Sequence, residues 1–177
     1  MDLDLRQKKT IRSIKNAFLR LRSEKELERI RIKELVELAE ISKGTFYLHY
    51  HDIYDLAEQM QCEVINNVIG YIEHPDAVLE DQELFTKELL EAFLAQQNLI
   101  NILFSQSQDA ILPKRIEEEL KRKVFELRPE AFEDPYVCIS LTYKVYGGYY
   151  AFLQYNNKFG SSKVIDIISS FSQKISV

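Results

Sequence analysis

The sequence predicts an all-α protein, and three observations carry that prediction. Gly and Pro are scarce, five and four in 177 residues, so few positions punctuate the chain. Apolar residues recur at three- and four-residue steps rather than in the alternation of a half-buried strand. Helix-start residues stand where such patterns begin, at Ser42, Asp52 and Pro113.

The first helix is expected over about residues 8–21, where Ile11, Ile14, Ala17, Phe18 and Leu21 form one buried stripe. Arg12, Lys15, Arg20 and Arg22 lie off that stripe. A charged connection, 23–31, carries Leu27 and Ile30, which are expected to tuck beneath the module. A second helix covers about 32–39, with Leu35, Val36, Leu38 and Ala39 facing inward. Ser42 then caps a third helix that starts at Lys43. Phe46 and Tyr50 are four residues apart and share a core face, which leaves Lys43, Thr45, Tyr47 and His49 pointing outward. Asp52 caps a fourth helix over about 53–72, with Asp55 as a capping-box partner, ending before His74-Pro75.

Beyond Pro75 the pattern is of longer helices with short breaks. One is expected over about 82–96 with Leu84, Phe85, Leu89 and Phe93 inward, and a short one over 99–104. Another covers 113–127 with Pro113 at its first position. Arg128-Pro129 and Asp134-Pro135 bracket a loop, and a long apolar helix follows over about 136–155. A turn at 156–160 leads to the last helix, about 162–175, with Val164, Ile165, Ile168, Phe171 and Ile175.

Hydrophobic residues make up 46% and charged residues 29%, which is enough to bury a core and too mixed for disorder. No apolar run approaches the ~18 residues that span a bilayer. The N-terminal MDLDLRQKKT has no following apolar segment, so it is not read as a secretory signal. Cys62 and Cys138 are too few for a disulfide framework or a cysteine-rich metal site. They are expected to be small buried hydrophobes in a cytoplasmic protein with reduced thiols. Charge is uneven: residues 1–50 hold twelve basic and eight acidic side chains (net +4), and residues 51–177 hold eleven and twenty (net −9). A basic N-terminal third on an acidic body fits a nucleic-acid-binding module joined to a partner domain, and equally a solvated charged face.

The stretch Ile32 to Leu56, a short helix, a tight turn and a second short helix, has the spacing of a helix-turn-helix. Within it, AEISKGTFYLHYHDIYDL resembles the signature of TetR-family transcriptional regulators at Ala39, Ile41, Ser42, Gly44, Thr45, Phe46, Tyr47, Tyr50 and Leu56. The Ile14, Ala17 and Phe18 stripe is similar to that family's first helix. The resemblance covers about residues 8–68. It implies a DNA-binding module there, and a helical effector-binding and dimerisation domain over 69–177. Two positions depart from the pattern. The family's turn glycine is Glu40, where a left-handed backbone would cost a side-chain-bearing residue about 1 kcal/mol. The turn is therefore expected to take another shape. A phosphate-contacting lysine is replaced by Ile53, which shifts weight to Arg6, Lys8, Lys9 and Arg12.

On this reading the second short helix enters the major groove of DNA. Lys43 donates to guanine or to phosphate, and Thr45 bonds a base edge or covers a thymine methyl. Gly44 permits close approach, Tyr47 and His49 contact phosphate, and Arg31, Lys9 and Arg12 hold the flanking backbone. Each of these has a plain alternative as a surface residue. His49 and His51 are two apart and share no helix face, so neither metal nor cofactor is expected. The Gly pair inside Tyr143, Tyr146, Gly147, Gly148, Tyr149, Tyr150 and Phe152 costs about 1 kcal/mol per glycine in a helix. Two explanations stand: close approach in a homodimer, where the resemblance implies a four-helix bundle using Tyr146, Gly147, Gly148, Tyr150, Ile165 and Ile168, or a kink beside a ligand pocket. We favour the first.

The expected function is a regulator, a repressor, that binds a palindromic double-stranded operator as a homodimer and answers to an unknown small-molecule effector. The alternative is a helical protein–protein interaction module that keeps the helix-turn-helix shape without operator binding. No membrane association is expected. An enzyme has little support: there is no Glu-x-x-His pair, no phosphate-cradling Gly loop and no nucleophile setting.

Overall fold

A computed structural model describes residues 2–74, 77–105 and 110–174, and no strand occurs among them. The chain is all-helical, and its helices divide into two units. The first comprises Met1–Val64 with Asn98–Asp109, and the second Ile65–Gln97 with Ala110–Val177.

In the first unit, α1 (Asp2–Glu24) is longer at both ends than the apolar stripe required. Ile14, Ala17, Phe18 and Leu21 are buried, while Ile11 is half-buried. Arg22 does not lie off the core as its charge suggested: it is 3% exposed. Its guanidinium donates to the carbonyls of Lys25 at 3.1 Å and Ser105 at 2.8 Å, which makes burial of the charge tolerable. A 3-10 turn at Leu27–Arg29 buries Leu27 and Ile30.

α2 (Ile32–Leu38) buries Leu35 and Val36, with Ala39 just past its end. Leu38, expected inward, is 38% exposed, because at 100° per residue it sits about a quarter-turn from the centre of that buried face. α3 (Lys43–Tyr47) follows, and then α4 (Ile53–Gly70), whose residues from Ile65 onward belong to the second unit. α7 (Gln97–Leu103), one or two residues earlier than the expected 99–104, brings Ile100, Leu103 and Phe104 into buried positions. Buried Gln61 donates to the Leu103 carbonyl at 3.0 Å. With the Arg22–Ser105 bond, it explains why a late segment belongs to the N-terminal unit.

In the second unit, α5 (Ala77–Glu80) precedes α6 (Gln82–Ala95), whose first turn is capped by Asp81 accepting from the Leu84 N–H at 3.0 Å. α8 (Ile111–Leu127) holds Pro113 as its third residue, a first-turn position that has no intrahelical N–H bond to lose. A 3-10 turn at Pro129–Glu133 fills the expected loop. α9 (Pro135–Phe159) is capped by Asp134 and runs through the expected turn at 156–160. Asn156 is buried there and donates to the Phe152 carbonyl at 2.7 Å, so it continues the helix, which Gly160 ends at a positive φ of 86°.

α10 (Ser161–Lys174) packs on α6 and α9. Phe85, Leu90 and Phe93 of α6 join Leu120 and Val124 of α8, Val145 and Phe152 of α9, and Val164, Ile165 and Ile168 of α10 in the core. Leu84 and Leu89 are only half-buried, and Phe171, expected inward, is 53% exposed. Pro75 and Ile175 lie outside the described residues. No described helix is long and apolar enough to cross a membrane.

Candidate functional site

The turn between α2 and α3 is built by backbone bonds that close a helix end. The Ile41 N–H reaches back to the Val36 carbonyl at 3.0 Å and the Glu40 N–H to Glu37 at 3.3 Å. This paired pattern requires a left-handed residue at the first position past the cap, usually glycine. Glu40 occupies it at φ 55°. The turn therefore keeps the glycine geometry, contrary to the sequence expectation, and Glu40 bears the strain. Ser13 of α1 ties the same corner by donating to the Ala39 carbonyl at 2.8 Å.

Ser42 opens α3, its Oγ accepting from the Thr45 N–H at 3.0 Å. The Ser42 and Thr45 hydroxyls are also 2.8 Å apart, which fixes the Thr45 rotamer. Phe46 is fully buried and Tyr50 nearly so, with ring centroids 5.7 Å apart. Burial first, then Glu63 and Asp55, raises the Tyr50 phenol above its ordinary pKa. These two anchors turn the opposite side of α3 to solvent. Lys43, Gly44 and Tyr47 are exposed, Tyr47 to 56%, and Thr45 and His49 are half-buried.

His49 stands beyond the last residue of α3, and Leu48 beside it is 81% exposed. Leu48 was not singled out from the sequence; an apolar residue off the Phe46–Tyr50 face was the available signal. Asp52 accepts from the Asp55 N–H at 2.8 Å at the start of α4. Asp55 in return accepts from the His51 N–H at 2.8 Å, and that bond, then Gln59, holds its carboxyl below the ordinary range.

Ile53 is 5% exposed, so the position where a lysine was sought faces the core. Lys9, Arg12 and Arg31 are all exposed. Arg31 precedes α2, its N–H donating to Glu34 at 3.4 Å, and Lys25 bridges both Glu34 oxygens at 3.0 Å.

The second unit holds a cavity of about 300 Å³. Its walls are apolar, from Phe85, Leu90 and Phe93 of α6, Ile116 and Leu120 of α8, and Val145 and Phe152 of α9. Phe93 meets Tyr149 and Phe152 edge-on at 5.9 and 5.8 Å. Among the described residues, Lys144 is the one charged member of this lining, and burial lowers its ammonium pKa. Gly148 also lines the cavity; a methyl there would stand 3.6 Å from Ile168 Cγ2, an ordinary contact. At Gly147 a methyl would meet nothing within 4 Å.

α9 continues unbroken through both glycines. Ile165 and Ile168, expected at an interface between copies, are buried in the chain's own core instead. Tyr146 is half-buried. It hydrogen-bonds Glu117 of α8, whose carboxyl is opposed by burial yet held low by Lys121, Thr142 and Tyr146 together. Tyr150 remains 51% exposed.

Cys62, expected buried, is exposed, and Cys138 is half-buried. Among the described residues, Glu73, His74 and Glu88 place one donor atom each within 4.8 Å of one another. His74 Nδ1 is 2.6 Å from Glu88 Oε1, so an ion pair accounts for the grouping. No family model, characterised protein or solved structure matches the chain.

Proposed function

We propose that the chain is a sequence-specific DNA-binding regulator of the TetR type, a repressor that a small effector releases or retunes. The observation that carries this reading is the row Lys43, Gly44 and Tyr47, exposed on a helix whose other face is locked by Phe46 and Tyr50. In this reading α2 and α3 are the helix-turn-helix, and α3 meets base edges in the major groove. Exposed Lys9, Arg12 and Arg31 supply phosphate contacts.

The copies of a homodimer would meet along α9, where Ile139, Tyr143, Gly147 and Tyr150 recur at helical spacing and are all exposed. The effector would occupy the cavity of the second unit, and it acts only by binding two conformations unequally. No catalytic role is assigned.

Footprinting on DNA upstream of the protein's own gene tests the proposal. It should reveal a palindrome with half-sites about one helical turn apart, or a multiple, bound in a salt-dependent way. Lys43→Ala and Tyr47→Ala should each weaken that footprint. Indifference to both would remove α3 as the reading helix.

Leu48 favours a second reading. A leucine 81% exposed beside an exposed Tyr47 suits an apolar protein partner, in a helical interaction module that does not bind an operator. Salt-insensitive capture of a protein partner, lost in Leu48→Ser, would support that reading over the first.

A further inference from the structure

Within the cavity of the second unit, apolar walls and a single cation occur together. An engineered apolar cavity of about 150 Å³ takes up benzene, so the 300 Å³ here suits a ligand of about ten to twelve heavy atoms. Among the described residues, the lining contains no Asp or Glu. Lys144 projects from the middle of α9, where no other charged residue occurs between Pro135 and Asn157. It has no carboxylate, hydroxyl or carbonyl partner among the described residues, and burial alone shifts its titration. Ser140, one helical turn earlier, lines the same cavity.

A partly desolvated cation without a partner is unfavourable for the empty protein, and a ligand anion reduces that penalty. A neutral ligand would leave it in place, and a cationic one would add to it. Lys144 also borders a second, more open recess, shared with Phe171 and Lys174.

We propose that this cavity binds a small apolar monocarboxylate, whose carboxylate pairs with the Lys144 ammonium while its hydrocarbon body lies against Phe85, Phe93, Leu120 and Phe152. The consequence for DNA rests on the regulator reading; the binding does not.

Calorimetric titration of the full chain, without DNA, tests it with octanoate, octanol and octylamine. Octanoate should bind at least about tenfold tighter than octanol, as expected of a charge-assisted bond, and octylamine should not bind. Lys144→Met should abolish the preference for octanoate while keeping octanol binding, which reports that the cavity is intact. Lys174→Met, altered only in the second recess, should leave the preference unchanged.

The proposal is overturned if octanoate fails to bind, if it binds no better than octanol, or if Lys144→Met retains the preference. A chain that prefers octanoate yet footprints no DNA keeps this proposal and loses the regulator reading.

Discussion

Two cations, Arg22 buried in the first unit and Lys144 half-buried in the second, are treated in opposite ways. Arg22 is 3% exposed and donates to two backbone carbonyls that belong to different segments of its unit. Lys144 faces an apolar cavity with no such acceptors. A buried donor that is satisfied fixes one arrangement of the chain, whereas an unsatisfied one is a liability until something binds. Arg22 thus ties two segments of the first unit together, whereas Lys144 leaves the second with a cation beside a cavity.

The largest test of this contrast pairs two substitutions that remove a charge and retain an aliphatic stem. Arg22→Met leaves the Ser105 carbonyl without its donor and should lower stability by about 3 kcal/mol in urea denaturation. Lys144→Met should lower it not at all. Equal losses would break the comparison.

Gly147→Ala is next in size. A methyl there meets open space, so the helix should gain about 1 kcal/mol at dilutions where the chain is single. At higher concentration the same variant should sediment nearer the monomer if copies meet at Gly147, and unchanged sedimentation removes that contact. Glu40→Gly probes the strained corner of the first unit. Relief of the left-handed conformation, partly offset by the freedom of glycine in the unfolded chain, should raise stability by about 0.5 kcal/mol.

The smallest effect concerns exposed His74 and half-buried Glu88 in the second unit. Glu88 raises the His74 pKa above 6.5, so its contribution is complete below 6.5 and fades as pH rises through the raised value. The Glu88 carboxyl, opposed by burial but held low by His74, contributes above 4.5 and is lost as pH falls through its lowered value. In an NMR titration, Glu88→Gln should move the His74 midpoint down toward 6.5.

Local signals in the sequence proved the most readable. The stripe of Ile14, Ala17 and Phe18, the Ser42 cap and the Phe46–Tyr50 spacing each depend on neighbours within one or two turns, and each is found in the structure. What escaped depends on residues far apart in the chain. Arg22 has the composition of a surface residue, and one of the carbonyls that make its burial tolerable is that of Ser105, 83 residues on.

The turn at 156–160 was misplaced because Asn is common at helix ends, whereas Asn156 caps its own i−4 carbonyl inside the helix. Spacing alone gave the exposure of Lys43 and Tyr47, two of the residues expected to read DNA, but it did not single out the neighbouring Leu48. The cavity left one trace in the sequence, a lone lysine in the uncharged stretch before Asn157, which became legible only when α6 and α8 were seen to surround it.

The return of Asn98–Asp109 to the first unit also bears on how the chain is born. Residues up to Val64 leave the ribosome first, but Gln61 and Arg22 lack their Leu103 and Ser105 acceptors until that later segment emerges. At about 5–20 residues per second, some forty further residues add roughly two to eight seconds of synthesis. During that interval the first unit lacks both bonds. More than half of the chain must exist before its first unit is complete, so part of the second unit is synthesised before the first can be finished.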